Sequence, residues 1–220
     1  MKTLLVLFAF IFTVNAQAAV KRYFQDAKFP NQVMIQKQSF GAPVAASIGR
    51  VASNVAGNTS ASPATLSSFL LQPDVPRNIT ITPGGVTGDV ESCVIVVSGT
   101  NYYGEAITED FAFSADASSA TVGNKAFKMV GSVGFPANCE SGGFGATWSI
   151  GVGEKIGLSK CMSAAGDWLS SSVAGAYEST RATMAVDATH VESNTADFNG
   201  TMNGSDSFTG YYFQNFRCHP

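Results

Sequence analysis

The feature that most constrains this chain is a stretch at residues 72–162 in which short apolar runs alternate with turn residues. Residues 93–97 form a continuous run rich in valine and isoleucine, which is typical of a strand buried on both faces. Trp148, Ile150 and Val152 alternate with small or polar residues and predict a half-buried strand. Glycine, proline or asparagine bounds each run, and these residues favour tight turns. The stretch therefore predicts a series of short strands.

Composition extends this prediction to the whole chain. Charged residues make up only 13% of the sequence, whereas amphipathic helices need Lys, Glu and Leu at helical spacing. We predict an all-β chain that folds as an antiparallel β-sandwich, Ig-like or jelly-roll-like, with an extended N-terminal arm. The predicted parts are an arm with short strands at residues 19–71, a core module at 72–162, and C-terminal strands at 163–220 that complete or extend the sandwich.

Residues 1–18 have the pattern of a secretory signal peptide. Lys2 gives a positive start, residues 4–14 are apolar, and Ala-Gln-Ala at 16–18 forms a small-x-small cleavage site before Ala19. The apolar run is too short to cross a bilayer comfortably, so we predict no stable membrane anchor. The alternative is an uncleaved hydrophobic arm that packs against a neighbouring subunit.

The chain has four cysteines, which allow three connectivities if all of them pair. We predict one disulfide between Cys93 and Cys139 and another between Cys161 and Cys218, as expected for an exported protein. No two cysteines have the two to four intervening residues of a zinc site. We therefore predict neither a metal site nor another cofactor.

Four tyrosines are candidate contact residues. Tyr102 and Tyr103 lie at the tip of a predicted hairpin, and Tyr211 and Tyr212 lie in a predicted closing strand. Aromatic side chains of this kind bind a surface glycan or a neighbouring subunit, and core packing is the alternative. Nucleic acid is excluded as a partner, because the net charge is −3 and no dense Lys/Arg cluster is present.

The sequence shows no catalytic pattern. Glu105, Glu109 and Asp110 are close together, but residues 109 and 110 of a strand point to opposite faces. No histidine or further acid lies at a distance typical of acid–base catalysis, and no nucleophile elbow is present. We therefore predict that the chain is not an enzyme.

Four motifs follow one another through the core module. They are Pro-Asp-Val-Pro-Arg at 73–77, Gly-Thr-Asn-Tyr-Tyr-Gly-Glu-Ala-Ile-Thr-Glu at 99–109, Gly-Asn-Lys-Ala-Phe-Lys at 123–128 and Gly-Val-Gly-Glu-Lys-Ile-Gly-Leu at 151–158. We call them the Pro-Arg, hairpin, Gly-Asn-Lys and Gly-Leu motifs. Their order, with the segment at 186–195, resembles a module of structural proteins of tailed bacteriophages and prophages. The resemblance implies a head decoration, a head fibre or a tail-associated part, and it carries no catalytic residues.

These observations predict a non-enzymatic structural subunit of a virus particle. Such a subunit would be located in the virion, where it would associate with itself and with other virion proteins. The signal-like residues 1–18 favour an alternative, which is a protein secreted after cleavage. In that case the chain would be an extracellular filament subunit, an adhesin or a carbohydrate-binding protein.

Overall fold

The structure is a computed structural model that describes residues 35–56, 63–141 and 145–214. All of these residues belong to one compact unit. Within them, fourteen strands form three antiparallel sheets, and the helical content is limited to three short 3₁₀ turns. The prediction of an all-β, sandwich-like fold is therefore confirmed. The signal-like residues 1–18 lie outside the described residues.

The central sheet supplies one layer of the sandwich. Its strands are β2 (Ser47–Ala56), β4 (Arg77–Gly85), β7 (Thr121–Phe127), β9 (Ala146–Gly157), β12 (Thr183–Ala185) and β13 (Thr195–Asp197). Their order is β12-β13-β9-β4-β7, and β2 also pairs with β9. Trp148, Ile150 and Val152 of β9 are buried, as predicted. The predicted half-buried character of the strand is wrong, because Ser149 and Gly151 on the other face are buried as well, where β9 lies between β2 and β4.

The hairpin sheet packs against the central sheet. Its strands are β3 (Ala64–Leu66), β5 (Cys93–Thr100), β6 (Ala106–Phe113) and β8 (Met129–Phe135), in the order β3-β8-β5-β6. Ile95, Val97 and Phe111 from this sheet meet Trp148 of the central sheet in the first core. The predicted burial of both faces of β5 is wrong, because Val94 is 43% exposed on the outer face.

The terminal sheet joins strands from near both ends of the described chain. Its strands are β1 (Ile35–Gly41), β10 (Trp168–Val173), β11 (Ala176–Tyr177) and β14 (Phe208–Phe213), in the order β1-β14-β10-β11. A second core lies beneath it, in which the rings of Trp168 and Tyr212 are stacked with centroids 5.7 Å apart. Gly210 leaves room for this ring, since a Cβ there would lie 2.2 Å from Trp168.

The range predicted as an arm, residues 19–71, contains three strands of the sandwich. β1 pairs with β14, β2 with β9 and β3 with β8. These partners all lie beyond residue 71, and each supplies backbone hydrogen bonds that an extended arm would lack. The described part of this range is therefore integrated into the sheets. Residues 19–34 and 57–62 lie outside the described residues.

A disulfide joins Cys93, at the start of β5, to Cys139, just beyond β8, with Cα atoms 5.1 Å apart. The first predicted pairing is thus confirmed. Cys161 is also disulfide-bonded. Its predicted partner, Cys218, lies outside the described residues. The Cys93–Cys139 bond fixes the end of the hairpin sheet opposite to the 101–105 turn.

Replacing both Cys93 and Cys139 by alanine should lower the free energy of unfolding by about 2–4 kcal/mol, because the unfolded chain loses a covalent loop. The loop spans 46 residues. Urea denaturation of the double variant measures the change without reducing the disulfide of Cys161. An unfolding free energy within about 0.5 kcal/mol of the wild type would contradict this prediction.

Candidate functional site

Two buried polar residues, Arg77 and Asn78, open β4 and lie between two bulged strands. The register between β4 and β9 shifts at residues 153–155, and the register between β4 and β7 shifts at residues 123–125. A bulge removes backbone groups from the regular ladder, and buried backbone groups then need other partners. Both side chains are completely buried and can supply those partners.

Arg77 binds the β9 bulge and the segment after β1. Its Nε donates to the carbonyl oxygen of Gly153 at 2.9 Å, and its Nη2 donates to the same oxygen. Its Nη1 donates to the carbonyl oxygen of Val44 at 2.7 Å and lies 3.3 Å from Asp74 Oδ1. Burial lowers the pKa of Arg77, and the charge of Asp74 opposes this shift. The Pro-Arg motif thus supplies a buried cation together with its counter-ion.

Asn78 connects the two bulges through one side chain. Its Nδ2 donates to the carbonyl oxygen of Gly123 at 3.1 Å, and its Oδ1 accepts from the backbone N–H of Lys155 at 3.0 Å. A Cβ on Gly153 would lie 2.5 Å from the Asn78 amide group. Position 153 of the Gly-Leu motif therefore needs glycine, because any side chain there would clash with Asn78.

Glu109 links the hairpin sheet to the β7 bulge. Its Oε1 accepts from the backbone N–H groups of Asn124 at 2.6 Å and Lys125 at 3.1 Å. A Cβ on Gly123 would lie 2.5 Å from Glu109 Oε2, so this glycine provides the space for the carboxylate. Burial raises the pKa of Glu109, and the two amide hydrogen bonds only partly oppose it. The Gly-Asn-Lys motif therefore binds Glu109, the last residue of the hairpin motif.

The hairpin motif forms the turn between β5 and β6. Asn101 Oδ1 accepts from the backbone N–H groups of Tyr103 at 3.0 Å and Glu105 at 3.1 Å, and its Nδ2 donates to Glu105 Oε2 at 2.8 Å. Gly104 has φ of +88°, a conformation that favours glycine. The predicted hairpin is confirmed, and its Asn-x-x-Gly-Glu pattern has a conformational role.

The tip tyrosines fold back onto the segment that follows β9. Tyr103 donates its hydroxyl hydrogen bond to the carbonyl oxygen of Ser159, and Lys160 Nζ lies 5.4 Å from the Tyr103 ring centroid. The rings of Tyr102 and Tyr103 are in edge contact at 5.4 Å. Tyr103 remains 36% exposed. The tip is therefore anchored on its own subunit, and only part of it is available for contact.

Tyr211 and Tyr212 point to opposite faces of β14, as neighbouring residues of a strand do. Tyr212 is completely buried, and its hydroxyl donates to Gln38 Oε1 at 2.8 Å. Burial raises the pKa of Tyr212 to about 12. Tyr212 therefore belongs to the second core, which corrects its assignment to a contact surface. Tyr211 lies on the outer face.

The outer face of the terminal sheet carries a group of apolar and aromatic side chains. The Tyr211 ring lies 6.2 Å from the Tyr177 ring, and Lys37 Nζ lies 5.8 Å from the Tyr211 centroid. Tyr177 is 70% exposed, and Ile35, paired with Phe213, is 58% exposed. We call these five residues the aromatic face. The sequence interpretation missed Tyr177, although the preceding Ala-Gly dipeptide signals the turn that presents it.

The segment at residues 186–195 forms a capped turn. Asn194 Nδ2 donates to the carbonyl oxygens of Asp187 at 2.7 Å and His190 at 2.8 Å, and its Oδ1 accepts from the N–H of Met162 at 3.0 Å. Hydrogen bonds hold the pKa of Asp187 well below its usual range, and the one from the Thr189 hydroxyl has the largest effect. The segment therefore fastens the chain near β9 through local hydrogen bonds.

The acidic residues considered above are dispersed in the structure. Glu105 is bound in the hairpin turn, Glu109 is bound to the β7 bulge, and Asp110 is exposed. Among the described residues, no three His, Cys, Asp or Glu side chains converge on a position suitable for a metal ion. In the same ranges, no helix is long and apolar enough to cross a membrane.

The comparisons found no family model, no curated protein and no solved structure that matches this chain. The resemblance to tailed-phage structural proteins therefore remains a prediction. Two features of the described residues bear on function: the double bulge around Arg77 and Asn78, and the aromatic face of the terminal sheet.

Replacing Arg77 by methionine should lower the free energy of unfolding by about 2–4 kcal/mol, because the buried carbonyl group of Gly153 and the part-buried carbonyl group of Val44 lose their donors. Guanidinium chloride denaturation measures the loss. The matched control is Arg50→Met, which removes a part-buried arginine bonded to the carbonyl of Gln72 and should cost about 1 kcal/mol or less. Equal losses in the two variants would contradict a special role for Arg77.

The stability contributed by Glu109 should depend on pH. Its folded-state pKa is raised, so its contribution is fully present below the unfolded pKa of about 4.3 and is lost as pH rises through the folded pKa. Glu109→Gln lacks this titration. The unfolding free energy of the wild type minus that of Glu109→Gln should therefore fall as pH rises through this window.

Urea titrations at a series of pH values test this dependence. Glu154→Gln is the matched control, since Glu154 is an exposed neighbour in the β9 bulge. A difference for Glu109→Gln that is constant with pH, or that increases with pH, would contradict the prediction.

Proposed function

We propose that this chain is a non-enzymatic structural subunit that acts by assembling with further copies of itself. The aromatic face is the observation that carries this proposal. It combines exposed tyrosine and isoleucine side chains with a single lysine on a sheet whose inner face is tightly packed. Aromatic residues are enriched in the cores of protein interfaces, and exposed apolar patches mark interaction sites.

A second copy of the chain fits the chemistry of this face. Lys37 already lies near the ring of Tyr211 within one subunit. Two faces related by a two-fold axis would place each lysine against the tyrosines of the other copy, in a cation–π arrangement. Among the described residues, β1 pairs only with β14, so its outer edge adds backbone groups for a partner strand.

The assembly that we propose is a virus particle of the tailed-phage type. Support comes from the order of the four motifs and from the hydrogen-bonded junction that three of them build around Arg77 and Asn78. The subunit would serve as a head decoration, a head fibre or a tail-associated part. It would contact other virion proteins as well as its own copies.

An exported extracellular subunit is the second candidate. The Cys93–Cys139 disulfide favours it, because disulfides persist mainly in oxidising compartments. The signal-like residues 1–18 agree with this setting. The chain would then be a filament subunit, an adhesin or a carbohydrate-binding protein, and the aromatic face offers flat rings on which a sugar can stack.

Replacing Tyr177 and Tyr211 together by serine should raise the dissociation constant for self-association at least about tenfold, because two central aromatic contacts are lost. Sedimentation velocity over a concentration series measures it. The control is Val94→Ser with Val122→Ser, which removes exposed apolar side chains from the other two sheets. A wild-type monomer at every concentration, or equal losses in both pairs, would contradict self-assembly through this face.

Mass spectrometry of the native chain distinguishes the virion proposal from the export proposal. A particle-associated chain that begins at Met1 would support the virion proposal. A chain that begins at Ala19 and is found free of particles would support export. The second result would leave self-assembly standing and would remove the virus particle as its product.

A further inference from the structure

A surface cavity lies where the chain passes from β6 to β7. Its volume is about 370 Å³, within the range of small-molecule sites in proteins. The lining comes from the last two residues of β6, the loop that follows and the first residue of β7, which are residues 112–114 and 116–121. We call it the β6–β7 cavity. No residue of the aromatic face lines it, so the two surfaces are separate.

The lining of this cavity is rich in hydroxyl groups and contains one carboxylate. The hydroxyl groups belong to Ser114, Ser118, Ser119 and Thr121, and the carboxylate belongs to Asp116. Within the described ranges, the Asp116 carboxylate and the three serine hydroxyl groups make no hydrogen bond or ion pair. No lysine or arginine belongs to the lining. The polar groups of the cavity are therefore free to bind a ligand.

The backbone of the lining loop is held by the segment that precedes β5. The N–H of Ala115 donates to Ser92 Oγ at 3.1 Å, and the N–H of Asp116 donates to the carbonyl oxygen of Val90 at 2.9 Å. Asp116 has φ of +59°, a left-handed conformation that few residues other than glycine adopt. The disulfide of Cys93 holds the same end of the hairpin sheet. The cavity is therefore built on a fixed part of the fold, which lowers the entropic cost of binding a ligand.

We propose that the β6–β7 cavity binds one neutral sugar residue, with the Asp116 carboxylate accepting hydrogen bonds from two neighbouring hydroxyl groups of the sugar. The serine hydroxyl groups bind the remaining sugar oxygens. Binding requires one subunit only, so this site does not depend on the proposed assembly. It gives the chain a ligand in addition to the partner that we propose for the aromatic face.

A neutral sugar fits the hydrogen-bonding groups of the lining better than an ion does. A serine hydroxyl both donates and accepts, whereas an ionised carboxylate only accepts. Sugar hydroxyl groups also do both, so they can satisfy every group of the cavity. An anion would face the charge of Asp116 with no cation in the lining to compensate it. An ammonium ion only donates, and the donor groups of the serines would then lack acceptors.

Titration of the full, oxidised chain with the methyl glycosides of glucose, galactose and mannose tests the proposal, with amide chemical shifts as the readout. For at least one sugar we expect shifts of the amides at 114–121 that saturate with a dissociation constant of about 1 mM. Asp116→Asn should raise this constant at least about tenfold, because charge-assisted hydrogen bonds are lost. Asparagine also adopts positive φ, so this variant keeps the backbone conformation. The matched control is Asp110→Asn, an exposed acid of β6, which should leave the constant unchanged.

The wild-type chain alone can overturn the proposal, whether or not the variants fold. The absence of saturable shifts at 114–121 with all three sugars at about 50 mM would do so. Equal shifts with glycerol at the same concentration would also do so, because they would show a general effect of hydroxyl compounds. Shifts confined to the amides of Tyr177 and Tyr211 would place the sugar on the aromatic face instead. Equal weakening by Asp116→Asn and Asp110→Asn would contradict the role of Asp116.

Discussion

The structure depends on two buried polar side chains at the start of β4. Arg77 and Asn78 supply the hydrogen bonds that the bulges of β9 and β7 remove from the sheet ladder. An unpaired buried backbone group costs about 1–3 kcal/mol, so neither bulge is stable in the interior without such partners. The β7 bulge in turn presents the two amides that bind Glu109 of the hairpin sheet. One pair of residues thereby connects the two layers of the sandwich.

The four sequence motifs share a structural role at this junction. Three of them meet around Arg77 and Asn78, while the hairpin motif adds the Asn101 turn and ends on Glu109. These residues bind one another and the bulged backbone, and they therefore maintain the shape of the junction. The surface that we propose for a partner lies instead on the terminal sheet, where Tyr177 and Tyr211 face outward. The residues that maintain shape and the residues that we propose to contact a partner are thus separate.

Local patterns predicted much of the fold, and long-range pairing explains what they missed. Alternation identified Trp148, Ile150 and Val152 as buried side chains of β9, although the other face of this strand is buried as well. Turn chemistry identified the hairpin at Asn101. The pairing of β1 with β14 joins residues more than one hundred positions apart, and no local pattern encodes it. Tyr212 was assigned to a surface because aromatic composition does not tell which side of a strand faces the core. Bulges also escape detection, since only the paired strand reveals a register shift.

The central claim is that Asn78 couples the two bulges. Native-state hydrogen exchange, followed amide by amide in the wild type and in Asn78→Ala, tests it most directly. We predict a loss of protection at Lys155, whose N–H binds Asn78, and also at Asn124 and Lys125, whose N–H groups bind Glu109. The hairpin-turn amide of Tyr103 should keep its protection. A loss confined to Lys155, with the β7 amides unchanged, would contradict the coupling.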